Sequence, residues 1–340
     1  MTATVLITGG AGFIGSHAAE ALLVAGERVR VLDDFSTGRR ENLAGMAGAL
    51  EVVEGDVRDR AALAVAMRGC DRVLHLAAVV SVARSFDDPA ATEAVNVGGT
   101  ANVLTAARAA GVRRVVLASS CAVYGTTTAL PVDEAAPVRP ESPYAQSKLD
   151  GEELCCAACE GGAMDAGVLR FFNVYGPRQD PTSDYSGVIA VFMDRLSAGR
   201  ECTVYGDGRQ TRDFVFVTDV VAACRAALGG RAPGGQALGG RALNAAPLSP
   251  APLNAAPINV GTGVETSLLE VLAALGKAGG REPVARFAAA RQGDIRHSRG
   301  ACDRAAEVLG FRSAVTFSEG LAATWSWYVA SHVASHLKGP

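Results

Sequence analysis

Tyr144 and Lys148 lie four residues apart, just after Ser142-Pro143. Serine as N-cap followed by proline in the first turn marks the start of a helix. On a helix that spacing puts both side chains on one face, with Cβ atoms about 5–6 Å apart. A free tyrosine has a pKa of about 10, so only about 0.1% is phenolate at neutral pH. A neighbouring ammonium and a second cation, sheltered from water, are expected to lower that value by about 3 units, worth about 4 kcal/mol. The phenol would then work as an acid and base close to neutrality. Upstream, Ser119-Ser120-Cys121-Ala122-Val123-Tyr124-Gly125 follows the apolar run 114–118. Hydroxyls at the carboxyl end of a buried strand face the crevice where parallel sheets bind ligands. Ser120 is therefore expected to hold the same substrate oxygen as Tyr144.

A second constellation is Thr8-Gly9-Gly10-Ala11-Gly12-Phe13-Ile14-Gly15, between an apolar run and a helical pattern. Gly10, Gly12 and Gly15 satisfy G-x-G-x-x-G; Gly9, Gly12 and Gly15 satisfy G-x-x-G-x-x-G. Glycines let the backbone turn sharply and approach a pyrophosphate with no Cβ in the way. The helix that follows offers unpaired N–H groups and partial positive charge to the anion. Asp33 ends the next strand, 18 residues beyond Gly15. A carboxylate there accepts hydrogen bonds from a ribose diol and repels a 2′-phosphate, which favours NAD over NADP. Arg39 and Arg40 weaken this preference only slightly.

These residues need elements to position them, and the first half supplies a regular alternation. Strands are expected over 5–8, 28–32, 50–54, 72–76, 114–118 and 167–171, with helices over 14–25, 59–67, 92–110 and 143–159. The strands are nearly all apolar, as when helices cover both faces of a parallel sheet. The fold class is α/β: a Rossmann-like doubly wound parallel sheet with a smaller C-terminal substrate-binding α/β cap. Residues 1–175 are expected to form the dinucleotide-binding domain with the Tyr/Lys helix. Residues 176–340 are expected to form the cap, partly interleaved, with a helix over 189–198, a strand over 203–205, a helix from Asp219, a strand over 258–260 and a helix over 267–276. The Ala/Gly/Pro-rich stretch 229–257 contains Leu-Asn-Ala-Ala-Pro twice and is expected to be an exposed insertion.

Composition excludes several classes. Lys plus Arg total 32 and Asp plus Glu 35, for a net charge of −3 without basic runs, a poor match to nucleic acid or an anionic membrane. Hydrophobic residues make up 49%, enough for a core. No apolar run reaches the roughly 18 residues of a membrane span, and no basic leader precedes the first strand. Eight cysteines scattered through the chain favour a reducing cytoplasm. Cys155, Cys156 and Cys159 fall on the 143–159 helix and lack the further ligands of a zinc site, so no metal is expected and they are expected to be buried helix-face thiols. The five histidines form no H-x-x-x-H site beside a catalytic glutamate. Trp325, Trp327 and Tyr328 are expected to pack in a core.

Taken together these residues resemble the extended short-chain dehydrogenase/reductase superfamily, and more narrowly the NAD-dependent nucleotide-sugar epimerases of the UDP-galactose 4-epimerase type. The resemblance runs from Thr4 to about Tyr328, omitting 229–257. Besides the motifs above it rests on Gly55-Asp56-Val57, Leu76-Ala77-Ala78, Asn96-Val97-Gly98-Gly99-Thr100, Arg170-Phe171-Phe172-Asn173-Val174-Tyr175-Gly176-Pro177-Arg178, Arg212-Asp213-Phe214, Asn259-Val260-Gly261-Thr262-Gly263 and Gly293-Asp294-Ile295. It implies a cofactor site of Gly9, Gly12, Phe13, Ile14, Gly15, Asp33, Asp56, Val57, Leu76, Ala77, Ala78, Asn96, Ser119, Tyr144 and Lys148, with Asp56 and Val57 at the adenine. It implies that Ser120, Tyr144 and Lys148 are catalytic, that Asn173, Arg212 and Arg291 hold the substrate diphosphate, and that Asp294 helps bind uridine. The implied reaction inverts C4 of a UDP-hexose through a transient 4-keto sugar. The helices over 92–110 and 143–159 resemble those of a family homodimer interface.

Two departures bear on the subtype. Relatives that dehydrate or decarboxylate nucleotide sugars carry Asp-Glu, or Glu, just before Val-Tyr-Gly. Here Cys121 and Ala122 stand there and cannot move the extra proton. The position gating the sugar pocket is Ser298, where some relatives have tyrosine, which leaves room for an N-acetyl group. Asn173, where some UDP-glucuronate 4-epimerases carry threonine, argues against that activity. The alternatives kept open are UDP-glucuronate epimerisation, another NAD-dependent modification of a nucleotide sugar, and a silent NAD-binding sensor, against which the intact Ser120/Tyr144/Lys148 set speaks.

Overall fold

Alternating apolar strands and helices dictate the first half of the computed structural model, which describes residues 4–180, 187–229, 251–290 and 295–336, with side chains as far as Ser331. In chain order the elements are β1 (Thr4–Thr8), α1 (Phe13–Val24), β2 (Arg28–Asp33), β3 (Leu50–Glu54), α2 (Arg60–Ala66), β4 (Cys70–His75), α3 (Val82–Asp87), α4 (Pro89–Glu93), α5 (Gly99–Ala109), β5 (Arg114–Ser120), α6 (Pro143–Cys159) and β6 (Asp165–Phe171). The second half adds β7 (Asn173–Tyr175), α7 (Val188–Ser197), β8 (Cys202–Tyr205), β9 (Thr211–Arg212), β10 (Phe214–Phe216), α8 (Val217–Ala227), β11 (Pro257–Val260), β12 (Thr266–Ser267), α9 (Leu268–Gly279), β13 (Ala285–Ala288), α10 (Asp303–Leu309) and α11 (Phe317–His336).

The main sheet has seven strands in the order β11-β6-β5-β4-β1-β2-β3, all parallel. Successive side chains of a strand point to opposite faces. Val5 and Ile7 therefore meet α1, α8 and α10 on one side, while Leu6 meets α2, α5 and α6 on the other. The strand order reverses between β1 and β4, and ligands bind outside the carboxyl ends of strands at such a switch point. The glycine loop leaves β1 there and residues 76–78 leave β4. A third core joins α7, α9 and α11 to Tyr175, Phe214 and Phe216. Beyond residue 175 the chain returns to the main sheet through β11, with α8 and α10 packed on it.

Local chemistry sets the element ends. Asp59 caps α2 by accepting from Ala61 and Ala62 N–H. Ser267 and Glu270 form a reciprocal capping box on α9, which closes at Gly280 in the left-handed region.

Three expectations change. The helix expected over 92–110 begins at Pro89, capped by Asp88, and is interrupted by a wider π turn at Ala94–Gly98. Such turns recur at functional sites. Of the 229–257 stretch, residues 230–250 lie outside the described residues, but its end is not exposed linker. Leu253 and Ala255 are buried, and Asp165 Oδ1 accepts both Leu253 and Asn254 N–H at 2.9 Å. Of the helix-face cysteines, Cys155 is buried but Cys156 is exposed, because one residue further along turns the side chain by about 100°. Trp325 does pack, stacked on buried Tyr328 with ring centroids 6.4 Å apart. The side chains of His332 and His336 lie outside the described residues.

The second half is drawn together by Asp213, fully buried. Its carboxylate accepts Thr262 N–H at 2.8 Å and Oγ1–H at 2.7 Å, Gly263 N–H at 2.9 Å and Gly300 N–H at 3.2 Å. Asp213→Ala removes the acceptor of three backbone N–H groups, that of Gly300 buried and those of Thr262 and Gly263 part-buried. A buried unsatisfied group costs about 1–3 kcal/mol, so urea unfolding should show a loss of about 2 kcal/mol or more; a loss below about 1 kcal/mol would mean that the loops are held otherwise.

Candidate active site

Helix α6 begins at Pro143 because Ser142 caps it, accepting Ala145 N–H at 3.1 Å. Its buried face carries Tyr144, Lys148, Gly151, Glu152 and Cys155. A Cβ on Gly151 would lie 3.3 Å from Leu117, so the helix lies close on β5. Lys148 Nζ donates to the Ala118 carbonyl at 3.0 Å. Ser120 Oγ accepts Ala122 N–H at 3.1 Å, and its side chain lies near enough to the Tyr144 phenol to ease its ionisation. Ser119 Oγ donates to Glu152 Oε1 at 2.5 Å. Ser120, Tyr144 and Lys148 thus meet at the carboxyl end of β5, as their spacing implied.

The polypeptide supplies only part of the field expected at the phenol. Burial pushes Tyr144 up to about 12, and the nearby Ser120 side chain offsets only part of this. Burial pulls the Lys148 ammonium down to about 8. Lys148 Nζ stands 5.8 Å from the Tyr144 ring centroid and is engaged by a carbonyl. The polypeptide alone does not lower the phenol; a bound cation has to supply that field.

The glycine loop is tightly built. Gly9 has a φ of +69°, and a Cβ on it would come within 2.8 Å of Ala77 N. A Cβ on Gly15 would fall 2.2 Å from the Gly9 carbonyl oxygen. No side chain caps α1 at Gly12, which leaves first-turn N–H groups, at Phe13 and Ile14, for an anion. Asp33 pins the loop: its two oxygens accept Ala11 N–H at 2.8 Å and Phe35 N–H at 2.9 Å. Burial raises its pKa. Arg39 pairs with Asp180 and Arg40 with Glu54, so both nearby guanidiniums already face carboxylates. Asp56 accepts a forked pair from Arg58, and this pairing lowers its pKa. Val57 is buried against the start of α5.

Across the switch point, Leu76 N–H donates to the Thr8 carbonyl at 3.1 Å and Ala77 N–H to Thr8 Oγ1 at 3.3 Å. Ala78 follows directly. Asn96, in the π turn, accepts Val79 N–H at 2.7 Å and donates to Val79 O at 3.0 Å and Ser147 Oγ at 2.9 Å. It ties the 76–79 wall of the cleft to α6. Beneath it lies a residue the motifs did not single out. His75 Nδ1 is 2.7 Å from Thr8 Oγ1 and Nε2 is 2.9 Å from Thr100 Oγ1. Thr100 donates its proton to Asn96 O at 2.5 Å, so it must accept from His75 Nε2–H. Nδ1 then accepts from Thr8. The chain of donors fixes one neutral tautomer.

Asn173 opens β7, its N–H bonded to Asp213 O at 2.9 Å. Arg212 lies in β9, donating to Thr211 O at 2.8 Å. Cys121 and Ser298 line a cavity with Tyr124, Phe172, Ile295 and His297. Burial pushes the Cys121 thiol up to about 12, which disfavours the thiolate. Arg291 and Asp294 lie outside the described residues. Glu152, Arg170 and Asp213 were missed as organisers. The signal for Glu152 was its place four residues beyond Lys148, on the face that already carries Tyr144.

A family model described as "Epimerase: NAD dependent epimerase/dehydratase family" matches residues 5–242. The chain belongs to this family. The UDP-glucose 4-epimerase of Mycolicibacterium smegmatis is 43% identical over 327 residues, covering 95% of this chain and 97% of that protein. A crystal structure of the Thermotoga maritima UDP-glucose 4-epimerase with UDP-glucose aligns with a TM-score of 0.84 at 32% identity, over 97% of this chain and 99% of that one. The Thermus thermophilus UDP-glucose 4-epimerase complexed with NAD aligns with a TM-score of 0.82 at 36% identity, over 96% and 99%. The epimerase family's cofactor, NAD, fits this cradle: the Gly9 and Gly15 contacts leave no room for side chains beneath the loop, and α1 starts without a side-chain cap. Among the described residues no helix is long and apolar enough to cross a membrane, and no group of three His, Cys, Asp or Glu could hold a metal ion.

Burial, with a smaller contribution from Lys148, holds His75 down to about 3. It is neutral in the fold, while the unfolded chain takes up a proton at about pH 6.5. Its contribution to stability is full above that pH and fades as pH falls toward 3, by about 1.4 kcal/mol per unit. Denaturant unfolding of His75→Asn should show a lower stability at pH 7.5 and a gap to wild type that narrows by about this slope below pH 6. Parallel curves would show that His75 is protonated or unimportant.

Proposed function

We propose that this protein is an NAD-dependent UDP-hexose 4-epimerase acting on UDP-glucose and UDP-galactose. The observation that carries the reading is the meeting of Ser120, Tyr144 and Lys148 at the end of β5, beside the glycine cradle, with Cys121 and Ala122 where a second proton carrier would be needed. The extensive similarity to UDP-glucose 4-epimerases supports it.

Tyr144 Oη takes the proton of the sugar's 4-hydroxyl and later returns it. Ser120 Oγ shares the same oxygen and keeps it at the phenol. Lys148, held by Ala118 O, contributes positive field near the phenol and reaches the nicotinamide ribose. NAD, when bound, supplies the two-electron acceptor, which is restored in each cycle, and the cation that the phenol lacks. Asn173, Arg212 and Arg291 hold the diphosphate; arginine forks suit its oxygens. Asp294 assists at the uridine. The sugar turns about this anchor to present its other face. Gly9, Gly12, Phe13, Ile14 and Gly15 cradle the NAD pyrophosphate, Asp33 the adenosine ribose, Asp56 and Val57 the adenine, and Leu76, Ala77, Ala78, Asn96 and Ser119 the cleft wall. Ser298, small and in the same cavity as Cys121, leaves space for a 2-N-acetyl group. The protein is proposed to work as a homodimer through the helices over 92–110 and 143–159. Its eight cysteines are all free thiols, which suits a reducing cytoplasm.

Purified protein given UDP-galactose should form UDP-glucose without net NADH. Tyr144→Phe should cut kcat by about 10²–10⁴-fold while bound NAD is retained. Conversion of UDP-glucuronate but of no UDP-hexose would overturn the substrate assignment, and unchanged turnover of Tyr144→Phe would remove Tyr144 from the chemistry.

A further inference from the structure

Three consecutive residues at the end of β5 each face one residue on a single face of α6. Ala118 O takes Lys148 Nζ at 3.0 Å, Ser119 Oγ meets Glu152 Oε1, and the Ser120 side chain, whose Oγ accepts Ala122 N–H at 3.1 Å, lies near enough to the Tyr144 phenol to ease its ionisation. The helix residues are 144, 148 and 152, spaced by four and so stacked along one face. Two of these contacts belong to the proposed chemistry; Ser119, placed in the wall of the NAD cleft, spends its hydroxyl on Glu152, so bound NAD is read for its variant as well.

Glu152 is 6% exposed and Arg170 4%. Arg170 Nε donates to Glu152 Oε1 at 2.9 Å and Nη2 to Oε2 at 2.7 Å. Arg170 lies on β6 directly opposite Ser119 in the ladder. Its guanidinium stacks on the Tyr124 ring, 4.8 Å from the centroid. Tyr124 Oη donates to Asn259 Oδ1 at 2.7 Å, and Asn259 Nδ2 donates to Val132 O and Ala301 O. A continuous chain of directed contacts therefore runs from α6, under the site, to β11.

A buried ion pair is a poor way to gain stability. Desolvation offsets its attraction, and apolar replacements of similar volume are often as stable. What such a pair does provide is direction. The planar Arg170 fork fixes the Glu152 carboxylate, and the carboxylate fixes the Ser119 hydroxyl. Ser119 is peptide-bonded to Ser120, so fixing one sets where the other presents its hydroxyl. We infer that Glu152 and Arg170 are positioning residues, which hold Ser120 in hydrogen-bonding register with Tyr144 through Ser119. The inference rests on the epimerase reading for its kinetic consequence. Misplacing a reacting group by about 1 Å can cost about 10²-fold in rate.

The test uses NAD-loaded protein and reads kcat, KM for UDP-glucose, bound NAD and Tm. Glu152→Gln should lower Tm, because Arg170 loses its counter-charge, and lower kcat about 10- to 100-fold with KM and NAD content unchanged. The double variant Glu152→Gln/Arg170→Gln should regain Tm without regaining kcat. Ser119→Ala, which leaves the ion pair intact, should keep a near-wild-type Tm and lose about tenfold in kcat. If kcat follows Tm, so that the double variant recovers both and Ser119→Ala turns over like wild type, the pair is only structural and the inference is wrong. Where a Glu152 variant fails to fold, Ser119→Ala decides alone. Should the wild type turn over no UDP-hexose, the functional reading fails by itself. Crystal structures then judge the positioning: a Ser120 hydroxyl displaced from Tyr144 in Ser119→Ala, relative to wild type, supports it, and an unchanged separation overturns it.

Discussion

The contact between the polar face of α6 and the end of β5 governs the rest of the molecule. Helices that cover a parallel sheet normally present apolar stripes to it. α6 instead buries a tyrosine, a lysine and a glutamate there. Lys148 and Glu152 would each be costly in an apolar layer without partners. Each finds one at the strand end or on β6, so both charges are partnered and directed. This is why the phenol, its serine partner and the ammonium converge without depending on a mobile loop.

Other parts of the fold serve that contact. Asn96 joins α6 to the wall of the cleft opposite the glycine loop, and the π turn supplies the extra residue that lets its side chain reach Val79 and Ser147 together. The Thr8–His75–Thr100 chain links β1, β4 and α5 by hydrogen bonds rather than apolar packing, at the switch point where parallel sheets bind ligands. Asp33 closes the other side by holding the glycine loop to β2. In the second half Asp213 gathers three loops, and with them Asn173, Arg212 and Ser298. Burial leaves the phenol high on its own, so a positively charged ring bound beside it would shift it toward the phenolate.

Much of this was legible beforehand, for identifiable reasons. The strands of the first half are short apolar runs between turn residues. The glycine loop and the Ser-Pro start of α6 are set by neighbours in sequence. Tyr144 and Lys148 follow from helix spacing alone, and Ser120 from its place after a buried strand. What could not be read depends on partners far along the chain. Glu152 looks like an ordinary helix surface residue until Arg170 is brought opposite. Asp213 sits beside an arginine, and its backbone partners are 49 to 87 residues away. The short strands β9 and β12 exist only because they pair with each other. Spacing gives the separation of Tyr144 and Lys148 but not that Lys148 Nζ is already bonded to Ala118 O. The segment 251–257 was misread because its composition is that of a linker, while Leu253 and Ala255 are buried and its backbone is held by Asp165 and Ala166.

The central claim is that the groups at the end of β5 move a proton on oxygen while the hydrogen on C4 leaves and returns to the same carbon within one closed site. Epimerisation of UDP-glucose carrying deuterium at C4, run in ordinary water and analysed by NMR of the UDP-galactose formed, tests this most directly. The account predicts that the product keeps its deuterium at C4. Product in which that deuterium has been replaced by solvent hydrogen would contradict it, because the carbon would then have been deprotonated into water.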